Sequence, residues 1–248
     1  MSFWSFSSGM QPLTGKLYIV GTPIGNLEDM SFRAVSILKE SDLILCENPK
    51  NSKKLLQKYE IETSYQPLYA STREEGFDWI LKKLSSGESI SYISDAGTPG
   101  ISDPGNRLVR YVRSHGFSVV PIPGVSALST ILSVSGAQNT PSLFLGFPGE
   151  KKSKTKKKLE EWKAFEGVLI FYESVHRIQD TLDIAREIFP GAEILVGREL
   201  TKIYEEMILW RPGEEKPKFS VKGEFTVLIN NFEKKIAKEN LLLVDTKD

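Results

Sequence analysis

The loop at Ser94–Gly105, which reads SDAGTPGISDPG, constrains the fold of this chain more than any other segment. It follows the apolar run Ser89–Ile93 and precedes a helical pattern that starts near Asn106. Its three glycines, two prolines and two aspartates are incompatible with the interior of a helix or a strand. Because open α/β sheets bind ligands at the carboxyl ends of their strands, the segment indicates a ligand-binding loop. An ordinary strand-to-helix turn is the alternative.

Short apolar runs alternate with helical periodicity from residue 16 onward. This alternation predicts parallel strands joined by helical crossovers, and therefore an α/β fold. The segments 204–211 and 223–230 flank a charged turn and predict a hairpin or an antiparallel pair. The other predicted strands are 16–21, 42–47, 89–93, 117–123, 143–147, 167–173 and 193–200, and the predicted helices are 31–39 with Ser31 as N-cap, 53–59, 77–84, 107–114, 154–164 and 177–188.

Small residues dominate the segment 121–138, which reads PIPGVSALSTILSVSGAQ and predicts a domain junction. We therefore expect two α/β domains. Residues 1–15 lack the basic and apolar regions of a secretory signal, and no apolar run approaches the length of a membrane span, so we expect a cytoplasmic protein. The predicted parts are a flexible N-terminal extension at 1–15, an N-terminal α/β domain at 16–123, a junction at 124–138, a C-terminal α/β domain at 139–231 and a tail at 232–248.

Composition excludes several classes of site. Lysine and arginine together number 32, as do aspartate and glutamate, so any nucleic-acid role requires a local basic patch. The single cysteine, Cys46, lies in an apolar run and excludes an internal disulfide framework. With two histidines in the chain, a zinc site is disfavoured, and we expect no metal. The segment GTPIGN at 21–26 lacks the GxGxxG spacing of a dinucleotide fingerprint.

Six blocks carry a resemblance to a known family: GTPIGNLEDMSFRAVSILKESDLILCEN, SDAGTPGISDPG, VPIPGVSA, FYESVHRIQDTL, GRELTKIYEE and KGEFTVLI. In order and spacing they resemble the tetrapyrrole-methylase-type family of S-adenosylmethionine-dependent methyltransferases. The resemblance covers about residues 16–231. It implies two α/β domains with a cofactor cleft between them, S-adenosylmethionine as cofactor, and a homodimer.

Within this family the blocks are similar to members that 2′-O-methylate a cytidine ribose of 16S ribosomal RNA. The resemblance therefore implies 16S rRNA or the small ribosomal subunit as partner. A tetrapyrrole-type methyltransferase with another acceptor remains an alternative, because the family includes such activities. A non-catalytic RNA-binding relative is a further alternative, because the family pattern EDTR reads Glu47-Asn48-Pro49-Lys50 here.

The resemblance and the loop positions together predict the site residues. Because a sulfonium already activates its methyl group, transfer to a hydroxyl needs alignment and a proton acceptor or a nearby cation. The candidates for that catalytic role are Glu47, Glu173, Arg198 and Lys202, and the sequence does not choose among them. The predicted cofactor-binding residues are Asp95, Ala96, Gly97, Thr98, Asp103, Pro123, Gly124, Ser126, Tyr172, Glu224 and Phe225.

Six lysines in the eight residues 151–158 form the one concentrated basic run of the sequence. Most charge runs are solvated helix faces, but a concentrated basic patch is also what binding to a phosphate backbone requires. The run matches a basic stretch of the RNA-methylating members, which favours RNA. The predicted RNA-binding residues are Lys151, Lys152, Lys154, Lys156, Lys157 and Lys158.

Overall fold

The computed structural model describes residues 15–69, 71–103, 105–137 and 141–231. Its contacts divide these residues into two compact units, 15–23 with 27–125 and 24–26 with 126–231. Each unit contains one five-stranded sheet. The expectations for the N-terminal extension and the tail fall on residues 1–14 and 232–248, which lie outside the described residues. Within the described ranges, no helix combines the length and the apolarity that a membrane span requires.

The first sheet is entirely parallel, as the alternation of strands and helices predicts. Its strand order is β3-β2-β4-β1-β5. The central strands β2 and β4 are almost wholly buried, which is typical of a parallel sheet covered on both faces. The strands are β1 (Lys16–Val20), β2 (Leu43–Cys46), β3 (Tyr65–Pro67), β4 (Ser89–Ile93) and β5 (Ser118–Ile122).

Helices cover both faces of this first sheet, because successive strand residues contribute to two separate apolar cores. One core contains Ile44 and Cys46 with side chains of the first two helices, and the other contains Leu43 and Leu45 with side chains of the next two. Ser31 caps the first helix, as predicted, by accepting a hydrogen bond from the Ala34 amide at 3.1 Å. The helices are α1 (Phe32–Glu40), α2 (Pro49–Lys58), α3 (Asp78–Ser85) and α4 (Asn106–Ser114).

The second sheet has the order β6-β7-β10-β8-β9 and is mixed. The pair β6–β7 is parallel, and the other three pairs are antiparallel. One helix packs against one face of the sheet, and the other two pack on the opposite face. The elements are α5 (Ala127–Ser133), β6 (Ser142–Phe144), α6 (Lys152–Glu160), β7 (Val168–Glu173), α7 (Ile178–Ile188), β8 (Glu193–Arg198), β9 (Glu206–Trp210) and β10 (Phe225–Asn230).

The predicted pairing of 204–211 with 223–230 is wrong. Both segments are strands, but β9 and β10 lie on opposite sides of β8, and β10 is inserted between β7 and β8. Burial explains the arrangement, because five of the six residues of β10 are buried whereas β9 is mostly exposed. A strand that is buried along its length needs neighbours on both sides, while an exposed one fits the edge of a sheet.

Candidate functional site

Three loops meet at the carboxyl edge of the first sheet, after the neighbouring strands β4, β1 and β5. After β1, Thr22 donates its amide to the Gly97 carbonyl at 2.8 Å, and the Gly97 amide donates to the Pro23 carbonyl at 3.3 Å. The Thr98 hydroxyl donates to the carbonyl of Val125, after β5, at 3.1 Å. The glycine- and proline-containing loops are therefore held to one another by hydrogen bonds.

Two glycines in these loops are required by packing. A Cβ added to Gly21 would lie 2.7 Å from the Gly124 backbone, and one added to Gly124 would lie 2.7 Å from Gly21. The Ser94–Gly105 loop also places Gly97, Gly100 and Gly105 at φ values of 75°, 89° and 123°, which favour glycine. Backbone geometry thus accounts for these glycines before any ligand is considered.

The loop after β2 lies beside the loop after β4. The Glu47 carboxylate accepts a hydrogen bond from the Asp95 amide at 3.3 Å. The Asp95 carboxylate accepts one from the Asn51 side-chain amide at 2.8 Å. Asp95 and its neighbour Ala96 are exposed, so this held carboxylate faces solvent.

The departure from the EDTR pattern forms the start of α2. The Asn48 side chain accepts a hydrogen bond from the Lys50 amide at 3.1 Å, and Pro49 occupies the first turn of the helix. Asparagine and aspartate are both good N-caps, and proline suits the first helical position. Asn48, in place of the aspartate of the pattern, therefore removes a negative charge, and with Pro49 it preserves the geometry of the helix start.

In the second unit, strand register brings several predicted residues to one edge of the sheet. Phe225, at the start of β10, pairs with Glu173 of β7 and with Arg198 of β8. The Phe225 side chain is buried in the core, whereas Glu224 is exposed. Tyr172 is half-buried and makes edge contacts with two phenylalanine rings, and Ser126 is buried at the start of α5.

Both carboxylate oxygens of Glu173 are held by the protein. Oε1 accepts hydrogen bonds from the Ser174 amide at 2.7 Å and from the Arg177 Nε at 2.9 Å. Oε2 accepts one from the Thr181 hydroxyl at 2.8 Å. Because Glu173 is fully buried, this arrangement joins the end of β7 to the start of α7. A role for Glu173 in proton transfer stays a prediction.

Arg198 binds two segments that flank its strand. Its Nε donates to the Lys222 carbonyl at 2.7 Å, and its guanidinium also donates to the Tyr204 carbonyl at 3.0 Å. An ion pair with Glu206 at 3.2 Å completes these contacts. The buried guanidinium therefore orders the segments on either side of the sheet edge.

Lys202 lies between two carboxylates of the second unit. Its Nζ is 3.0 Å from Glu199 Oε1 and 2.9 Å from Glu224 Oε2, and the Glu224 amide donates to Glu199 at 2.8 Å. Burial alone would lower the pKa of Lys202, but the hydrogen bonds to both glutamates outweigh it and raise the pKa above the ordinary value. Lys202 is therefore a fixed, protonated cation whose charge two carboxylates balance, which disfavours a role as proton acceptor.

The backbone around this cation adopts rare conformations. Glu199 and Thr201 have φ values of 51° and 67°, although neither is glycine. A Cβ on Gly25 would lie 2.3 Å from Lys202 Cγ, and one on Gly223 would lie 2.4 Å from Glu199 Cδ. Such strain concentrates at functional sites, which supports a specific role for the Glu199–Lys202–Glu224 cluster.

The six lysines of 151–158 fall into two groups of three. Lys152 pairs with Asp180 at 2.8 Å, Lys156 with Glu187 at 2.6 Å and Lys158 with Glu161 at 3.2 Å. The other three are exposed and form no ion pair with another described residue; they are Lys151, Lys154 and Lys157.

The remaining predicted residues are located as follows. Asp103 is half-buried and lines a pocket of the first unit, and Pro123 is exposed after β5. Cys46 is a core residue, in agreement with its position in an apolar run, and burial raises the pKa of its thiol. Sequence reasoning missed Thr22, Asn51 and Tyr92, whose importance depends on partners 44 or more positions away or on burial.

Comparison with known proteins identifies close relatives. Residues 16–214 match the family model described as Tetrapyrrole (Corrin/Porphyrin) Methylases. "Ribosomal RNA small subunit methyltransferase I" of Leptospira biflexa is 46% identical over 90% of this chain and 93% of that protein. The protein of the same name from Bacillus subtilis is 43% identical over 87% of this chain and 75% of its own length. The crystal structure of the methyltransferase CobJ has the same fold, with a TM-score of 0.64 at 18% identity, covering 88% of this chain and 94% of that one.

Proposed function

The chain belongs to the tetrapyrrole methylase family, and we propose that it transfers a methyl group from S-adenosylmethionine to the RNA of the small ribosomal subunit. The observation that carries the proposal is 46% identity, over 90% of the chain, to a protein named for that activity. In its finer form the acceptor is the 2′-hydroxyl of a cytidine in 16S rRNA. A homodimer and a cytoplasmic location belong to the same proposal and follow from the resemblance and the acceptor.

Features of the first unit support the proposal that its loops contribute to binding S-adenosylmethionine. The loops after β1, β4 and β5 are held rigid by their mutual hydrogen bonds, and Asp95 presents an exposed carboxylate that Asn51 orients. A carboxylate of this kind suits the ammonium or ribose hydroxyls of the cofactor. When bound, the cofactor supplies the methyl group and, through its sulfonium, the activation for transfer. The residues proposed to hold it are Asp95, Ala96, Gly97, Thr98, Asp103, Pro123, Gly124, Ser126, Tyr172, Glu224 and Phe225.

The four catalytic candidates receive different roles in this proposal. Glu47 is preferred over Glu173 as proton acceptor, because donors occupy both oxygens of Glu173. Lys202 acts as a positioning residue, because Glu199 and Glu224 already balance its charge and its contacts hold these two carboxylates in place. Arg198 acts as a positioning residue, because its donors hold the segments at Tyr204 and Lys222.

The lysine run binds RNA phosphates in this proposal, and its two groups contribute unequally. A lysine that already faces a carboxylate has less charge to offer a phosphate, so Lys151, Lys154 and Lys157 carry most of the affinity. The paired lysines instead join α6 to α7 or to the end of α6 itself.

Cofactor binding and methyl transfer test the proposal together. Purified protein should bind S-adenosylmethionine in a calorimetric titration and transfer its methyl group to small subunits that lack the modification. Asp95→Ala should weaken cofactor binding, because it removes an oriented carboxylate. Glu62→Ala is the matched control, since Glu62 is an exposed acid of the same unit outside the loops. Cofactor binding without transfer to small-subunit RNA would contradict the proposed acceptor.

A further inference from the structure

A pocket of about 210 Å³ opens in the first unit, on the face of the sheet covered by α3 and α4. It is smaller than the range of about 300–1,000 Å³ typical of drug-sized ligands, and suits a single ring system. Its walls come from the segment after β3, from β4 and from the start of α4. The lining residues are Leu68, Tyr69, Thr72, Phe77, Tyr92, Asp103, Gly105, Asn106, Arg107 and Leu108.

Tyr92 lines this pocket, and its hydroxyl is an unexplained polar group. Tyr92 is fully buried, yet its hydroxyl has no hydrogen-bond partner among the described residues. Buried tyrosine hydroxyls usually find a partner, because leaving one unpaired costs free energy. Burial, and then the charges of Glu47 and Asp103, raise the pKa of Tyr92 above its ordinary value, so the hydroxyl keeps its proton and can donate.

Gly105 keeps the pocket wall close to the Tyr92 ring. Its φ is 123°, and a Cβ at this position would lie 2.7 Å from Tyr92 Cε1. Tyr69 is 63% exposed and also lines the pocket, so it offers an aromatic face. The pocket is thus lined by one exposed aromatic ring and by a tyrosine whose buried hydroxyl has no partner among the described residues.

Three arginines form a row on α4 that begins at the pocket. Arg107, Arg110 and Arg113 are spaced by three residues, so they share one side of the helix over about 9 Å. We call them the α4 arginine stripe. All three are exposed, none forms an ion pair with another described residue, and α4 contains no acidic residue. Like charges at this spacing repel one another, so the stripe indicates an anionic partner.

We propose that this pocket accepts one unpaired nucleobase of the RNA substrate, while the α4 arginine stripe binds the flanking phosphates. Proteins read RNA mainly through splayed-out bases that stack on aromatic rings and form hydrogen bonds at their edges. Arginine suits phosphate, because its planar fork can donate two hydrogen bonds to one group. The proposal rests on the proposed function, since it assigns a second contact region to the same RNA.

The stripe is tested by RNA affinity as a function of salt. We expect the triple variant Arg107→Gln, Arg110→Gln, Arg113→Gln to weaken binding of a 16S rRNA fragment and to flatten the log–log salt slope by about 2. Lys53→Gln, Lys54→Gln, Lys58→Gln is the matched control, because it removes three exposed charges from α2 on the opposite face of the same sheet. An equal effect in both variants would overturn the proposal, because it would indicate diffuse electrostatics.

Tyr92→Phe tests the pocket. We expect it to weaken RNA binding about 3- to 10-fold, the effect of one hydrogen bond, while thermal stability stays the same or rises. Abasic nucleotides should then be placed one at a time along the fragment. At one position, the abasic RNA should bind the wild-type protein and Tyr92→Phe with equal affinity. Wild-type affinity in Tyr92→Phe, with no such coupling at any position, would overturn the proposal.

Failure of the pocket and stripe is distinguishable from failure of the proposed function. If the wild-type protein methylates small subunits but all pocket and stripe variants match it in affinity and KM, only the further inference fails. If the wild-type protein neither binds nor methylates the RNA, the proposed function fails as well. A triple arginine variant that changes oligomeric state in sedimentation while keeping its RNA affinity would assign the stripe to a contact between copies, and would overturn the proposal.

Discussion

Lys202 differs from the other catalytic candidates in that its charged group contacts two carboxylates. Its ammonium group is held by Glu199 and Glu224, and Gly25 and Gly223 leave the space that this cluster occupies. The hydrogen bonds from the Glu224 amide and from Lys202 outweigh burial and lower the pKa of Glu199. The stability contributed by this cluster therefore depends on the ionisation of Glu199 and Lys202, and so on pH.

Lys202→Gln should reduce the free energy of unfolding by about 0.5 kcal/mol at neutral pH, because it leaves two carboxylates without their shared cation. The pKa of Glu199 is lowered, so its contribution is present above its ordinary value of 4.5 and is lost as the pH falls through the folded-state pKa. The pKa of Lys202 is raised, so its contribution is present below 10.5 and is lost as the pH rises through the folded-state pKa. The difference in free energy of unfolding between the wild type and Lys202→Gln should therefore be largest between about pH 5 and 10.

Urea unfolding at a series of pH values measures this difference. Lys222→Gln is the control, because its exposed side chain forms no ion pair with another described residue. A difference that does not diminish at either pH extreme would contradict the assigned ion pairs.

The close approach of Gly21 and Gly124 predicts that a side chain at either position destabilises the protein. Gly21→Ala should destabilise the protein by about 1–3 kcal/mol, because the added Cβ would overlap the Gly124 backbone. Gly191→Ala is the matched control, since nothing lies within 4 Å of a Cβ there and its φ is not positive. Thermal unfolding of both variants measures the effect, and equal midpoints would show that the two loops can separate without cost.

Among the elements, α6 and its N-cap contain lysines that differ in whether they form ion pairs. Lys152 and Lys156 face acidic residues of α7, while Lys151, Lys154 and Lys157 face solvent. The sequence predicts the helix and its charge. It does not predict the division, because the acids of α7 are 28 or more positions away.

Alanine variants of the two lysine groups should therefore behave differently. Lys151→Ala, Lys154→Ala, Lys157→Ala should weaken RNA binding and flatten the log–log salt slope by about 2, with cofactor affinity unchanged. The paired set, Lys152→Ala, Lys156→Ala, Lys158→Ala, removes the same number of charges and should change the slope less, with a small loss of thermal stability. Filter binding across a salt series distinguishes them, and identical slopes for the two variants would refute the division.

In the second sheet, the local sequence pattern predicts which segments are strands but not which strands pair. The aromatic and β-branched residues of β10 predict a strand, and its burial places it at the centre of the sheet. Proximity in sequence suggests that it pairs with β9, but the connection between them is long enough for β10 to lie between β7 and β8. The three-residue strand β3 in the first sheet was missed, because Tyr65–Pro67 has no apolar run and forms through pairing with β2.

At the scale of the whole molecule, the sequence predicts the α/β class and the family, because six ordered blocks specify both. It also locates the loops at strand ends. It does not predict the contacts within each unit that define the candidate site, such as Asn51 with Asp95 or Thr22 with Gly97, since these depend on strand order. The conformation of Glu199 and Thr201 likewise follows from tertiary contacts, because neither residue type favours a positive φ.

We propose that this chain methylates a ribose of small-subunit ribosomal RNA. Mass spectrometry of 16S rRNA from a strain in which its gene is deleted tests this proposal. We predict the loss of one 2′-O-methylcytidine, its restoration by the wild-type gene, and reduced restoration by Asp95→Ala. Ribosomal RNA that carries the same ribose methylations with and without the gene would contradict the claim.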